Sequence, residues 1–192
     1  MGILATTALA TQLTACISPK SYVDPQFHKT GYNDIARTSQ AIPVKVDVNF
    51  QRNGKDLPRA NSELKSSIER SLRASGVFAP TDTVNSPSIL VNGNNIADLA
   101  AARAKGFGTG LTFGAAGSTI DDNYEFSFKY NDAQGVAHNA IYKHTIHTSI
   151  GNTKAPEGLK PTTIADAFNK VVEDVVLNFV KKLQDDGVIP NK

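Results

Sequence analysis

Residues 163–183 read TIADAFNKVVEDVVLNFVKKL, and this stretch decides the fold. Ile164, Phe168, Val171, Val172, Val175, Val176, Phe179 and Leu183 recur at three- and four-residue intervals. They make an apolar stripe about five helical turns long. Thr163 with Asp166 approximates a capping box at the start, with aspartate where Glu or Gln is usual. Gly187 and Pro190 supply the stop. Valine is a poor helix former, so packing rather than propensity must hold this helix. Such a stripe reads as a core helix lying on a sheet, with a partner-binding helix as the alternative.

The strands of that sheet are readable upstream. Val44, Val46, Val48 and Phe50 alternate with Lys45, Asp47 and Asn49, the period of a half-buried strand that starts at Pro43. Asn53-Gly54 marks a turn. Asn61 is the expected N-cap of an amphipathic helix carrying Leu64, Ile68 and Leu72, with Gly76 as its stop. Residues 77–88, with Pro80 and Pro87, read as a loop, and Ser88–Asn92 as a second short strand. Tyr124, Phe126, Phe128 and Tyr130 alternate with polar residues, residues 131–135 make a hairpin loop, and Ala137–Ile150 return with Ala140, Tyr142, His144 and Ile146 on one face. This order predicts an α/β (α+β) two-layer sandwich: one mixed or antiparallel sheet of about four strands, with two amphipathic helices on one face. It resembles the small α/β domains of bacterial envelope lipoproteins, the one in curli-type secretion pores included.

At the other end, residues 1–15 carry no charge, and a short apolar core (Ile3, Leu4, Ala5, Ala8, Leu9, Ala10) gives way to small residues, as in a signal peptide. A membrane-spanning helix needs about 20 apolar residues, more than this run supplies. No Lys or Arg precedes the run, so the leader is expected to begin upstream of Met1. Leu13-Thr14-Ala15-Cys16 closes the run with the only cysteine in 192 residues. These four residues resemble the lipobox of bacterial lipoproteins. The resemblance implies cleavage after Ala15, a diacylglycerol thioether on Cys16, and fatty acylation, palmitate among the acyl groups, at the new N-terminus. Ile17 rather than aspartate follows, which in such lipoproteins implies a periplasm-facing anchor in the outer membrane.

Three segments are therefore expected: a signal peptide (1–15), a lipidated flexible tether (16–42) and one periplasmic α/β domain (43–192). The tether is polar and broken by Pro19, Pro25 and Gly31, with isolated Tyr22, Phe27, Tyr32 and Ile35 that can lie partly against the domain. At about 25 residues its root-mean-square reach is about 28 Å.

A glycine-rich insert at about 97–120 interrupts the domain. The dinucleotide fingerprint fails on spacing, because Leu111 and Phe113 stand where its third glycine belongs, and no phosphate loop follows. Two readings stay open. Gly106, Gly110 and Gly114 repeat every fourth residue and on a helix give one smooth face for membrane or subunit contact. In an extended segment, Phe107, Thr109, Leu111 and Phe113 share a face instead, as in a packed internal loop.

Chemistry-bearing patterns are sparse. His144 and His147 form H-x-x-H in a strand, whose alternation sends them to opposite faces, so no metal pair is expected. His28 sits in the tether and His138 near the hairpin, with no carboxylate or cysteine companion close in sequence. Ser62-Glu63-Leu64-Lys65 and Lys29-Thr30-Gly31 match S-x-x-K and K-T-G, but in reversed order and without S-D-N between them. A formal charge of +2 gives no basis for nucleic-acid binding. The expectation is thus a non-enzymatic outer-membrane lipoprotein without cofactor or metal, bound to the membrane by its acyl chains and to an envelope protein partner. A subunit of an oligomeric secretion or pore assembly, built through the glycine-rich segment, is the alternative, and homo-oligomers fit it. A cell-wall hydrolase is the third reading.

Overall fold

The computed structural model describes residues 19–83, 87–97, 118–151 and 157–190. Strands β1 (Lys20–Val23), β2 (Ile42–Arg52), β3 (Lys55–Asp56), β4 (Phe78–Pro80), β5 (Ser88–Ala97), β6 (Ser118–Asn131) and β7 (Ala137–Ile150) accompany helices α1 (Asn61–Ser75) and α2 (Ile164–Asp185). The strands form one sheet in the order β1-β7-β6-β5-β2-β3, with β4 beside the start of β2. It is mixed: β2 runs parallel to β4 and β5, and the other pairs are antiparallel.

Both helices lie on one face and touch each other, Ser67 Oγ donating to Asn169 Oδ1 at 2.7 Å. Beneath them Val44, Val46, Ile89, Val91, Phe126, Phe128 and Ile146 are fully buried. The apolar stripe of α2 is buried from Val171 to Leu183, Phe168 is partly buried, and Ile164 at the first turn is 52% exposed, while Thr163 caps the helix by accepting the Asp166 N–H at 3.0 Å. Gly93 faces α1, and a Cβ there would meet Phe126 Cε1 at 2.9 Å and Leu64 Cδ2 at 3.4 Å. Glycine lets that ring and helix close over β5.

Four expectations need correction. The sheet has seven strands rather than about four, because short strands without a readable period join it by pairing alone. The 77–88 segment, read as a loop, contributes β4, with Phe78 buried against Tyr130. Asn61 does not cap α1: it is the first helical residue, and its Oδ1 accepts the Phe50 N–H at 2.8 Å, tying the helix to the end of β2.

The largest correction concerns the N-terminal segment. Residues 20–42 are not a free tether, and the domain does not begin at Pro43. Ser21, Tyr22 and Ile35 are buried, and β1 pairs with β7 from Lys20↔Ser149 to Val23↔Ile146. Beyond β1 the chain straps across α2. Asn178 Nδ2 donates to Phe27 O, Tyr32 Oη to Glu173, and Gln184 exchanges hydrogen bonds with both backbone groups of Ala36. This second covering layer explains why α2 buries Asp174, Leu177, Val180 and Gln184 as well as its apolar stripe.

Candidate functional site

The strap brings together groups that lie far apart in sequence. Helical spacing puts Lys170, Asp174, Asn178 and Lys181 on the flank of α2 that faces it. Strand alternation turns His144 of β7 inward toward the same flank. On the strap, Asp24 Oδ1 accepts the Gln26 N–H at 3.0 Å and starts a 3-10 turn at Pro25–Phe27, which delivers Phe27 and His28 to α2. Phe27 then lies on the His144 ring at a centroid distance of 4.9 Å.

At the centre is Asp174, whose side chain is wholly inaccessible. His28 Nδ1 lies 2.6 Å from Oδ1, Lys170 Nζ 3.1 Å from the same oxygen, and His144 Nε2 3.2 Å from Oδ2. Burial pushes this carboxyl up, but the hydrogen bonds from His144, His28 and Lys170 outweigh it and hold the group below its ordinary range. The backbone fixes the His144 tautomer: the Thr145 N–H donates to Nδ1 at 2.9 Å, so the ring proton sits on Nε2 and points at Asp174. Lys170, held also by Glu173 at 2.6 Å, has its pKa raised: burial lowers it, but these carboxylates more than compensate.

His147 stands on the opposite face of β7, as alternation requires. Its Nδ1 lies 2.7 Å from Asp121 Oδ1 and its Nε2 3.4 Å from Asp24 Oδ2. Partial burial lowers its pKa, yet the hydrogen bonds and charges of the two aspartates raise it overall. Asp24 therefore closes the strap from one side of the sheet edge and His28 from the other. His138 has a partner too, Asp132 Oδ2 at 3.0 Å within the hairpin.

Next to the strap is a groove of about 470 Å³. Phe27 and Tyr142 line its floor, α2 walls it with Asn178, Lys181 and Lys182, and Lys29 and Lys143 stand at its rim. Lys181 pairs with Asp185 and Lys182 with Asp186, whereas Lys29 and Lys143 form no ion pair among the described residues. The Asn178 Oδ1 atom is buried without a hydrogen-bond partner among the described residues. Burial, with Asp186 nearby, pushes the Tyr142 phenol up to about 12, so it stays a neutral donor, bonded to Asn178 O at 3.2 Å.

The arrangement can clamp a chain segment and hold an anionic group at the lysine rim. Among the described residues no three His, Cys, Asp or Glu side chains converge so as to hold a metal ion. Nor is any described helix long and apolar enough to cross a membrane. The residues singled out from the sequence, Cys16, Gly106, Gly110 and Gly114, all lie outside the described residues. The sequence reading missed the Asp174 cluster. The run VVEDVVL holds two adjacent carboxylates, Glu173 and Asp174, and nothing local distinguishes the buried one.

No family model matches the chain, and no curated protein matches it. Solved structures do. A protein described as a homolog of neuraminyllactose-binding hemagglutinin from Helicobacter pylori is 10% identical, with 84% of this chain and 95% of that one covered and a TM-score of 0.42. A minor lipoprotein from Acinetobacter baumannii is 10% identical over 77% of this chain and 95% of its own, TM-score 0.37. A PelC dodecamer from Paraburkholderia phytofirmans is 13% identical over 86% and 97%, TM-score 0.36. At TM-scores below 0.5 these likenesses carry no weight for what the chain does.

Proposed function

We propose that the chain is an envelope lipoprotein: a non-enzymatic binding module held at the outer membrane through acyl chains on Cys16, facing the periplasm. One observation carries this reading. The first strand begins at Lys20, four residues after the cysteine, so the lipobox-like stretch ends where the folded domain starts. Acyl chains contribute about 0.8 kcal/mol per buried CH₂, and two or more hold a protein at a bilayer. Anchoring raises the effective concentration of the domain toward other envelope components. The cluster around Asp174 serves this module as a clamp that keeps the strap in place. The test is the mass of the mature protein together with its fractionation. A diacylglycerol-modified N-terminal Cys16 is expected, and Cys16→Ser should move the protein from the membrane to the soluble fraction. An unmodified thiol in the mature protein would refute the proposal.

A second reading, a subunit of an oligomeric secretion or pore assembly, is favoured by one feature. Residues 98–117 join β5 to β6, which are antiparallel neighbours paired from Ser88↔Asn131 to Ala97↔Asp122. The glycine-rich insert therefore leaves and re-enters the sheet at one place.

A further inference from the structure

We propose that the outer edge of β7, from Asn139 to Lys143, is a docking edge that takes up an extended acidic segment of a partner protein as an added strand. This deepens the binding-module reading and rests on it for the partner's being another protein.

The edge is left open by the way the strap departs. β1 accompanies β7 only along Ile146–Ser149, and the last bond between them is Asp24 N–H to Thr145 O at 3.2 Å. Pro25 follows, which has no N–H to continue the ladder, and the chain turns away over α2. From Ala137 to Lys143, β7 has β6 on one side and, among the described residues, no strand on the other. Backbone direction alternates along an antiparallel strand. Because Thr145 O points outward, the N–H and C=O groups of Lys143, Ile141 and Asn139 point outward too. The outward N–H of Thr145 is already taken by His144 Nδ1, so the opening starts just below it.

An unpaired edge alone says nothing about its occupant, and a lysine on it is a common guard against unwanted pairing. Here the guard also selects. The groove runs along this edge, with Lys29 and Lys143 at its rim and Lys181 and Lys182 on its wall, against one lining carboxylate, Asp185. A second copy docking edge to edge would bring the two lysine rims close together, like charge beside like charge. A strand whose alternate acidic side chains share the Lys143 face would meet that cation, which has no ion pair among the described residues, while Lys29 keeps the α2 side cationic and the backbone takes up the free groups of Ile141 and Lys143. Ile141, 66% exposed, offers an apolar contact beside Lys143 on that face. Strand addition takes affinity from the main chain and specificity from alternate side chains.

The test uses the full chain in mild detergent and a fluorescein-labelled peptide, Glu-Val-Glu-Thr-Glu-Val-Glu. Fluorescence anisotropy should show saturable binding that weakens with salt, and hydrogen exchange should slow at the Ile141 and Lys143 amides. The same peptide N-methylated at its internal amides should bind about tenfold more weakly or not at all. Its Lys-for-Glu counterpart should fail, and Lys143→Glu should weaken binding of the parent peptide. Ile141→Pro, which removes one outward N–H without touching the ladder to β6, should lose binding; if it does not fold, the N-methylated peptide still decides. Equal binding of the methylated peptide, or no binding of the parent, overturns the proposal. So does protection of the same amides by self-association without peptide. Anchoring is read separately, from the mass at Cys16, so either reading can fail alone.

Discussion

Replacing Asp174 separates a clamp built on a fixed tautomer from a generic buried charge. In Asp174→Ala the His144 Nε2–H, whose side chain is inaccessible, loses its only acceptor. A buried unsatisfied donor costs about 1–3 kcal/mol. His28 and Lys170 are 44% and 41% exposed and can turn to water, so each contributes only about 0–1 kcal/mol. Relief of the buried carboxylate offsets part of the loss, leaving a net destabilisation of about 2 kcal/mol. Asp174→Asn behaves differently. Its amide oxygen can still accept from His144, and its NH₂ can donate to His28 Nδ1, because exposed His28 is free to carry its proton on Nε2. Lys170 then falls back on Glu173. This variant should cost about 1 kcal/mol. Urea unfolding followed by circular dichroism is the assay, since the chain has no tryptophan. At an m-value of about 1–3 kcal/mol/M, Ala should lower the midpoint by about 1 M and Asn by about half as much. Equal losses for the two variants would refute the tautomer argument, and an Ala variant within about 0.5 kcal/mol of the parent would refute the clamp.

Two further outcomes are expected. His147, raised above its ordinary value of 6.5 by Asp121 and Asp24 against the opposing effect of burial, adds stability that is complete below pH 6.5 and fades as pH rises through its higher folded-state pKa. Asp24 and Asp174 are lowered from 3.8, so their contributions hold above that pH and are lost as it falls through their folded-state values. A series of urea midpoints between about pH 3 and 9 should show both limbs, and His147→Gln should flatten the alkaline one and lessen the acid one only by the part His147 gives Asp24; an unaltered alkaline limb contradicts the assignment. For the assembly reading, native mass spectrometry of the full chain should show an oligomer that Gly110→Leu reduces to monomers with an unchanged circular dichroism spectrum, and an unaffected oligomer rejects that reading.

What the sequence disclosed follows from the range of the forces involved. The helix at 164–183 and the hairpin at 124–146 were legible because each buries a face whose period is written in consecutive residues. β1 was not, since Lys20–Val23 is four residues long and owes its place to pairing with residues more than a hundred positions away. Its buried Tyr22 looked like an isolated aromatic in a polar tract. β3 and β4, two and three residues long, escaped for the same reason. The cluster at Asp174 joins residues 146 and 30 positions from it, and no local pattern encodes such distances. Asp174 fits the polar flank of α2 beside Lys170 and Asn178, and the apolar Leu177 and Val180, outside the stripe, were the one sign that something covers that side.

Folding the supposed tether into the domain changes what an anchor at Cys16 does. A free segment of about 25 residues would let the domain wander about 28 Å from the bilayer in any orientation. With β1 starting at Lys20, only four residues would connect an acylated Cys16 to the sheet, at most about 14 Å of chain. That strand is firmly seated: Ser21 exchanges backbone bonds with Thr162 at 2.8 and 3.0 Å, and Tyr22 is buried. An anchor at Cys16 would therefore keep the Lys20 end of β1 close to the lipid as well as retaining the domain. Lys20 pairs with Ser149, and the open edge at Ile141 lies eight residues away along β7, about 27 Å at the rise of a strand. On the proposed anchoring, short connection and long strand together would hold the lysine-rimmed groove away from the bilayer, where a segment of another protein could reach it.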